Sequence, residues 1–293
     1  MAFEILPITK PYRPKVPDFD RVAKPIKFDI SGTQLSLKLP VHKPDYSEEL
    51  FPKPSYDIHD LSRYEKVGNY LSLSILARAW KLKGPLFHEN AGELFFWCGV
   101  TFVEGCDLEN SLFSHEVFEE AVLKCTRSEW GEGYGNFKNG CQINRAPVNW
   151  KIITLADFYA LQFEIYRDFS QSRIIQTFIP LTHSHFLCFM LRDNTLFIQD
   201  KGDRHLIDQD PINHFFEKIL DSISIDLSEV SKSQKQIIED RFRNQKYSAH
   251  RLPEKWTTEE QDKEYEEHLR GWEEIVRLSQ ESVEAAKKFN SAR

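Results

Sequence analysis

The sequence predicts an α+β protein built on a mostly antiparallel sheet with flanking helices. Between residues 148 and 191, short apolar stretches follow one another with brief connections, which is typical of antiparallel strands. Near residues 115 and 211, apolar side chains recur at helical spacing instead. The 293 residues are 41% hydrophobic, which suffices for a core domain. We assign an extended arm to 1–27, the core domain to 28–228 and a charged helical extension to 229–293.

Proline dominates the start of the chain. Nine of the fourteen prolines lie in the first 54 residues, so this stretch is not expected to be mainly helical. Residues 1–27 contain six Lys or Arg and three acids. They predict an extended Pro-rich arm lying solvated on its own domain, in preference to a peptide that binds a partner. Ile26 to Leu39 then alternates around Ser31-Gly32, which predicts a β-hairpin.

The core domain opens with two strands. Residues 71–78 alternate and favour a strand, although Val67, Leu71 and Ile75 would also line one face of a helix. The run from Leu94 to Val100 has no polar face, so it predicts a strand in the middle of a sheet that is covered on both sides.

Helices and a meander complete the core domain. Ser114 precedes a helix that we expect from 115 to about 126. Asp210-Pro211 is expected to cap a second helix, which runs into a last strand near 223–227. Between the two helices, short connections predict a meander. Its strands are expected at 148–155, 158–166, 173–179, 186–191 and 195–199.

Charge and a single apolar stripe characterise the C-terminal extension. It has 27 charged residues in 65, and residues 254–284 carry a local charge of -7, equal to that of the whole chain. The capping box Thr257-x-x-Glu260 predicts a long amphipathic helix from about 258 to 289. We expect its stripe to fold back onto the core, with binding of a partner helix as the alternative. The partner-binding candidates are Tyr265, Leu269, Trp272 and Val276.

Composition narrows the compartment and the partners. A net charge of -7 argues against nucleic acid as the main partner. Five cysteines without a CxxC pair predict reduced thiols. The first residues do not form a secretory signal, and no apolar run is long enough to span a membrane, so we expect a cytoplasmic protein.

Two motifs resemble functional sites but lack essential positions. His183-x-His185 could begin a metal site, yet a third ligand is missing and 180–184 predicts a turn. Changing both histidines to alanine is therefore expected to leave stability nearly unchanged. The glycine loop 131–140 lacks the spacing of a dinucleotide fingerprint and of a P-loop. No metal or cofactor is predicted. A thiol enzyme pairing Cys141 or Cys188 with these histidines is a minor alternative.

The order of these elements resembles a known group. Asp-Ile-Ser-Gly and Leu-Ser-Leu-Lys-Leu-Pro, within Asp29 to Pro40, form the hairpin, and a helix, a meander and a late helix running into a strand follow. Over residues 26–228 this resembles the PsbP/DcrB-like sheet-and-helix proteins, although the charged extension has no counterpart there. The resemblance implies a protein that binds other proteins and is not an enzyme, as in bacterial adaptors that hold effectors before secretion. It transfers no functional residue.

The leading hypothesis is a non-enzymatic cytosolic protein-binding module of an adaptor, chaperone or toxin-neutralising immunity type. Its acidity favours a basic protein partner. The alternative is an enzyme whose site is assembled from dispersed residues around His183, His185 and the 131–140 glycine loop.

Overall fold

The computed structural model describes residues 13–83, 92–131, 144–167, 172–195 and 207–254, and individual residues between 256 and 278. In these residues the chain forms an α+β fold with two sheets. The helices are α1 Phe19–Val22, α2 His115–Trp130, α3 Asp210–Asp221 and α4 Glu229–Arg241. The strands are β1 Ala23–Ile30, β2 Thr33–Pro40, β3 Ser55–Tyr56, β4 Glu65–Val67, β5 Tyr70–Leu82, β6 Gly92–Phe102, β7 Asn144–Leu155, β8 Phe158–Arg167, β9 Ser172–Pro180, β10 His185–Thr195 and β11 Ser224–Asp226. Every helix in this part of the chain is too short or too polar to cross a membrane.

The large sheet has seven strands in the order β4-β5-β6-β10-β9-β8-β7, and every neighbouring pair is antiparallel. Strands β7 to β10 form a meander, as the short connections predict. β6 pairs with β10 along its full length, from Gly92 opposite Thr195 to Phe102 opposite His185. This pairing joins the β4–β6 segment to the meander.

The small sheet has the order β11-β2-β1-β3. The predicted hairpin is confirmed: β1 and β2 pair in register across Ser31 and Gly32, whose φ values are 46° and 86°. Positive φ at both central residues matches the twist of a two-residue hairpin. β11 then adds to β2 with Ile225 opposite Leu35.

Both faces of the large sheet are covered. On one face, Leu94, Phe96, Cys98 and Val100 of β6 join a core that also contains the small sheet and α3. On the other face lies α2, whose Phe118 contacts the β10 strand, with 6.0 Å between its ring centroid and that of Phe186. The prediction of a central strand buried on both sides is therefore confirmed for β6.

Other elements differ in their bounds. The favoured strand over 71–78 is confirmed as part of β5, which is longer than predicted, and α2 continues four residues beyond its predicted end. The predicted break between 191 and 195 is wrong, because β10 is continuous to Thr195; residues 196–199 lie outside the described residues. α3 begins at Asp210 itself, with Gln209 as its N-cap.

The predictions for the two ends are corrected where the structure describes them. Within the predicted arm 1–27, residues 19–22 form α1 and residues from Ala23 onward already pair in β1, while residues 1–12 lie outside the described residues. The predicted capping box lies one residue too early. Thr258 accepts a hydrogen bond from Gln261 N through Oγ1 (3.2 Å) and donates its own N–H to Gln261 Oε1 (2.9 Å). Most of the predicted helix from 258 to 289 lies outside the described residues.

Candidate binding site beneath helix α2

Helix α2 is held at both ends by hydrogen bonds to neighbouring segments of the chain. Near its start, buried Glu119 accepts hydrogen bonds from Ser248 N (2.5 Å) and from Arg251 Nη2 (2.7 Å). Near its end, Ser128 Oγ accepts from Asn69 N (2.7 Å) in the β4–β5 turn. That turn approaches so closely at Gly68, where φ is +58°, that a Cβ would lie 2.6 Å from the carbonyl oxygen of Ser128. A β-carbon at this position is incompatible with the docked turn.

A cavity of about 220 Å³ lies between α2 and the large sheet, and we call it the α2 crevice. Strands β4, β5, β6, β9 and β10 supply its other walls. Its lining residues are Glu65, Val67, Tyr70, Ser72, Ser74, Trp97, Thr101, Cys125, Thr126, Glu129, Gln176, Phe178, Phe186, Cys188 and Met190.

The charged side chains that line the α2 crevice are all acidic. Glu65 and Glu129 are the two ionisable carboxylates among its lining residues, and none of those residues is Lys, Arg or His. Aromatic rings, sulfur atoms and hydroxyl groups form the remaining surface. The α2 crevice is therefore a mixed polar and apolar site with a negative electrostatic bias.

Gln176 is the most unusual lining residue. It is 2% exposed, and none of the residues that the structure describes donates a hydrogen bond to its Oε1. The neighbouring strand shows the ordinary situation, because buried Gln162 donates from Nε2 to Thr177 Oγ1 at 2.7 Å. A buried acceptor without a partner costs about 1–3 kcal/mol. A ligand that donates a hydrogen bond to Gln176 would recover this loss.

Glu129 faces the same cavity from the last turn of α2. Burial raises the pKa of its carboxyl group to about 7. At neutral pH the group therefore populates both protonation states, and a cation bound beside it would favour the charged one.

Trp97 forms a flat wall of the α2 crevice because Gly99, two positions later on the same face of β6, has no side chain. A Cβ on Gly99 would lie 2.3 Å from the Trp97 indole ring, so only glycine allows the ring to lie across the strand. The indole Nε1 donates to Ser74 Oγ at 3.1 Å, which fixes the orientation of the ring.

The two thiols of the crevice are unsuited to nucleophilic chemistry. Burial raises the pKa of Cys125 and of Cys188 well above the ordinary value of a thiol. The thiolate is the reactive form, and neither cysteine has a basic lining residue beside it. These features favour binding over thiol catalysis at this site.

A second cavity, of about 410 Å³, lies between α3 and strands β7 to β9. Its central guanidinium is already bound by protein groups. Arg173 makes two bonds to Glu164, Nε to Oε2 at 2.8 Å and Nη2 to Oε1 at 2.7 Å, and Nη1 donates to Asn213 Oδ1 at 2.5 Å. The arrangement is that of a structural ion pair.

The histidines predicted as a possible site lie at the β9–β10 turn. His185 is 2% exposed; its Nδ1 lies 3.0 Å from Thr182 Oγ1, and its Nε2 lies 3.0 Å from the carbonyl oxygen of Ile58. His183 accepts Leu112 N at its carbonyl oxygen (3.0 Å) and donates its own N–H to Gln234 Oε1 (3.2 Å). Among the described residues, no group of three or more His, Cys, Asp and Glu could hold a metal ion.

The burial of His185 changes one expectation. A double change of His183 and His185 to alanine was expected to be nearly neutral, because both were assigned to a turn without a metal. In the structure it would remove the contact between the His185 ring and Ile58 and leave a cavity, so it is now expected to destabilise the protein.

The structure does not bring these histidines to the described end of the glycine loop. The His183 turn contacts the segment before α2, whereas Gly131 follows the last residue of that helix. Sixteen helical residues separate the two ends by about 24 Å. Residues 132–140 and Cys141 lie outside the described residues, and so do Tyr265, Leu269, Trp272 and Val276, whose role stays a prediction.

Sequence reasoning missed the lining residues that matter most here. The sequence contained one signal. Gln176 lies between Ile174 and Phe178 in an otherwise apolar strand, and a glutamine buried in such a strand requires a hydrogen-bond partner. Glu129 carried no such signal, since glutamate at the end of a helix ordinarily faces water.

A scan against protein-family models finds no match for the chain, and a search of curated proteins finds no similar sequence.

Proposed function

We propose that this protein is a non-enzymatic protein-binding module that holds its partner by taking one partner side chain into the α2 crevice. The Gln176 Oε1 atom, which lacks a hydrogen-bond partner among the described residues and lies in a lined cavity, carries this proposal. Native buried acceptors are ordinarily satisfied, so an exception inside a cavity is explained most simply by a bound group.

Size supports a side chain over a cofactor. Pockets for drug-sized ligands and cofactors span roughly 300–1,000 Å³. The α2 crevice, at about 220 Å³, is smaller than that range. Protein interfaces commonly place one anchoring side chain in a desolvated pocket of this kind, surrounded by weaker contacts.

The remaining ionisable groups support binding over catalysis. The buried thiols of the crevice remain protonated, and both ring nitrogens of His185 are within hydrogen-bond distance of protein groups. An adaptor, a chaperone or a toxin-neutralising protein would each use such a module.

Filling the crevice tests the proposal. Ser72 lines it from β5, so Ser72→Leu would occupy the cavity; Ser224→Leu, on exposed β11, is the matched control. Tagged wild-type and variant proteins are cross-linked in the cells that make the protein, and the captured proteins are quantified by mass spectrometry. We expect at least one protein that Ser72→Leu captures about tenfold less, which corresponds to about 1.4 kcal/mol.

The control must capture that protein at the wild-type level, and both variants must keep the circular dichroism spectrum of the wild type. Identical capture by all three folded proteins would contradict a binding role for the crevice.

A further inference from the structure

We infer that the α2 crevice recognises the guanidinium group of an arginine side chain presented by a basic protein partner. This inference rests on the proposed function and names the group that fills the site. Gln176 Oε1 needs a donor, the ionisable lining groups include two carboxylates and no base, and the walls carry aromatic rings.

Charge selects a cation. Glu65 lines the cavity from β4, and Glu129 lines it from α2. A bound anion would meet two carboxylates without a compensating base, which is strongly unfavourable in a partly desolvated site. A bound cation instead stabilises the charged form of the Glu129 carboxylate, which burial alone disfavours.

Hydrogen-bonding groups select a cation with several N–H donors. The Gln176 carbonyl, the Glu129 carboxylate and the Ser72 hydroxyl are all able to accept. A guanidinium group carries five donors in a plane, whereas an ammonium group carries three around a point.

Aromatic walls select the planar cation. Trp97, Phe178 and Phe186 line the cavity, and the indole ring of Trp97 is held flat by Gly99 and Ser74. Guanidinium stacks on aromatic faces and is more weakly hydrated than ammonium, so its desolvation costs less. The net charge of -7 on the chain favours the approach of a basic partner.

The test uses two probes that differ in one group. N-acetyl-arginine amide carries the guanidinium, and N-acetyl-citrulline amide is its neutral counterpart of similar shape. Each is titrated into the full chain and followed by the Trp97 indole N–H resonance in nitrogen-15 spectra. We expect the arginine probe to shift this resonance and to bind at least about tenfold more tightly than the citrulline probe.

Variants locate the binding. Glu129→Gln should weaken the arginine probe about tenfold, whereas Glu104→Gln, an exposed carboxylate outside the crevice, should leave it unchanged. Ser72→Leu should abolish binding of the probe by filling the space. Equal binding of both probes, or equal loss with Glu104→Gln, would overturn the inference.

Binding should also strengthen as pH rises from 6 to 8, because Glu129 ionises near pH 7. The other titratable groups that face it are Glu65 on β4, Tyr70 on β5, Cys125 on α2 and Cys188 on β10; the lining residues from β6 and β9 do not titrate. The pH effect should be absent in Glu129→Gln, and an unchanged pH effect in that variant would contradict the assignment.

Failure of the two proposals is distinguishable. If Ser72→Leu loses a partner but the arginine probe does not bind, the protein-binding role stands and the guanidinium inference fails. If the probe binds but no partner is lost, the protein-binding role fails. Agmatine, a free guanidine, should bind no more tightly than an arginine-containing peptide. Tighter binding of agmatine would contradict the inference that a protein partner supplies the guanidinium group.

Discussion

At His185 the fold keeps an imidazole neutral. Burial, together with the nearby ring of His59, lowers the pKa of His185 to about 4. The unfolded chain, with an ordinary histidine pKa near 6.5, therefore binds more protons than the folded chain between pH 6.5 and 4. The stability that neutral His185 contributes is present above pH 6.5 and is lost as the pH falls toward 4.

We predict that this loss reaches about 3 kcal/mol in the wild type and is much smaller in His185→Gln. Melting temperatures measured from pH 7 to pH 4 would show it. His250→Gln, at an exposed position, is the control and should follow the wild type. Glu129 acts in the opposite direction, because a raised carboxyl pKa costs stability as the pH rises from about 4.5 to about 7, so the comparison is made between variants. Identical pH profiles for wild type and His185→Gln would contradict the prediction.

At the scale of elements, α3 packs aromatic side chains against α1 and against the large sheet. Phe215 is 2% exposed, and its ring centroid lies 5.1 Å from that of Trp80 on β5 and 6.3 Å from that of Phe19 on α1. Phe215→Ala should cost about 3–5 kcal/mol, because it removes these contacts and leaves a cavity.

For a chain of 293 residues, that cost corresponds to a fall in melting temperature of about 5–8 °C. His214→Ala, its exposed neighbour on the same helix, should shift the melting temperature by less than about 2 °C. Equal shifts in differential scanning calorimetry would show that α3 does not pack as described.

The spacing of apolar residues predicted the elements that are long enough to show a clear helical or alternating pattern. The apolar spacing of Phe215, Phe216 and Ile219 identified α3, and the leucines of β2 identified its buried face. The extension 229–293 was predicted to be helical, but α4 was not identified as a separate helix, because only Ser231 and Ile238 are buried in its thirteen residues. β3 and β4 have two and three residues, too few for any alternation. The α2 crevice could not be predicted, since Glu65, Glu129 and Gln176 meet only through the order of the strands.

At the scale of the whole molecule, the reactivity of the cysteines shows which faces of the sheet are closed to solvent. Cys98, Cys125 and Cys188 are buried, whereas Cys106 is half-exposed, and all four are free thiols. Burial and the adjacent carboxylate of Asp107 raise the pKa of Cys106, which slows its reaction near neutral pH.

Iodoacetamide at pH 8, followed by peptide mapping, should therefore modify Cys106 well before the three buried cysteines. In denaturant all four should react at similar rates, which serves as the control. Rapid native labelling of Cys188 would show that the face of the sheet beneath α2 is open to solvent. A disulfide found in the native protein would contradict the reduced state.

The pairing of β6 with β10 has a consequence for the order of folding. Phe102 pairs with His185, roughly 80 residues later along the chain, so this contact closes a long loop and loses more chain entropy than any hairpin. The β5–β6 hairpin and the β7–β10 meander are each local and can form independently before that closure. Trp97 and Thr101 lie on one side of the junction, and Phe186, Cys188 and Met190 on the other. We therefore expect the crevice to form only at this long-range step, so that a nascent or partly folded chain would lack the site.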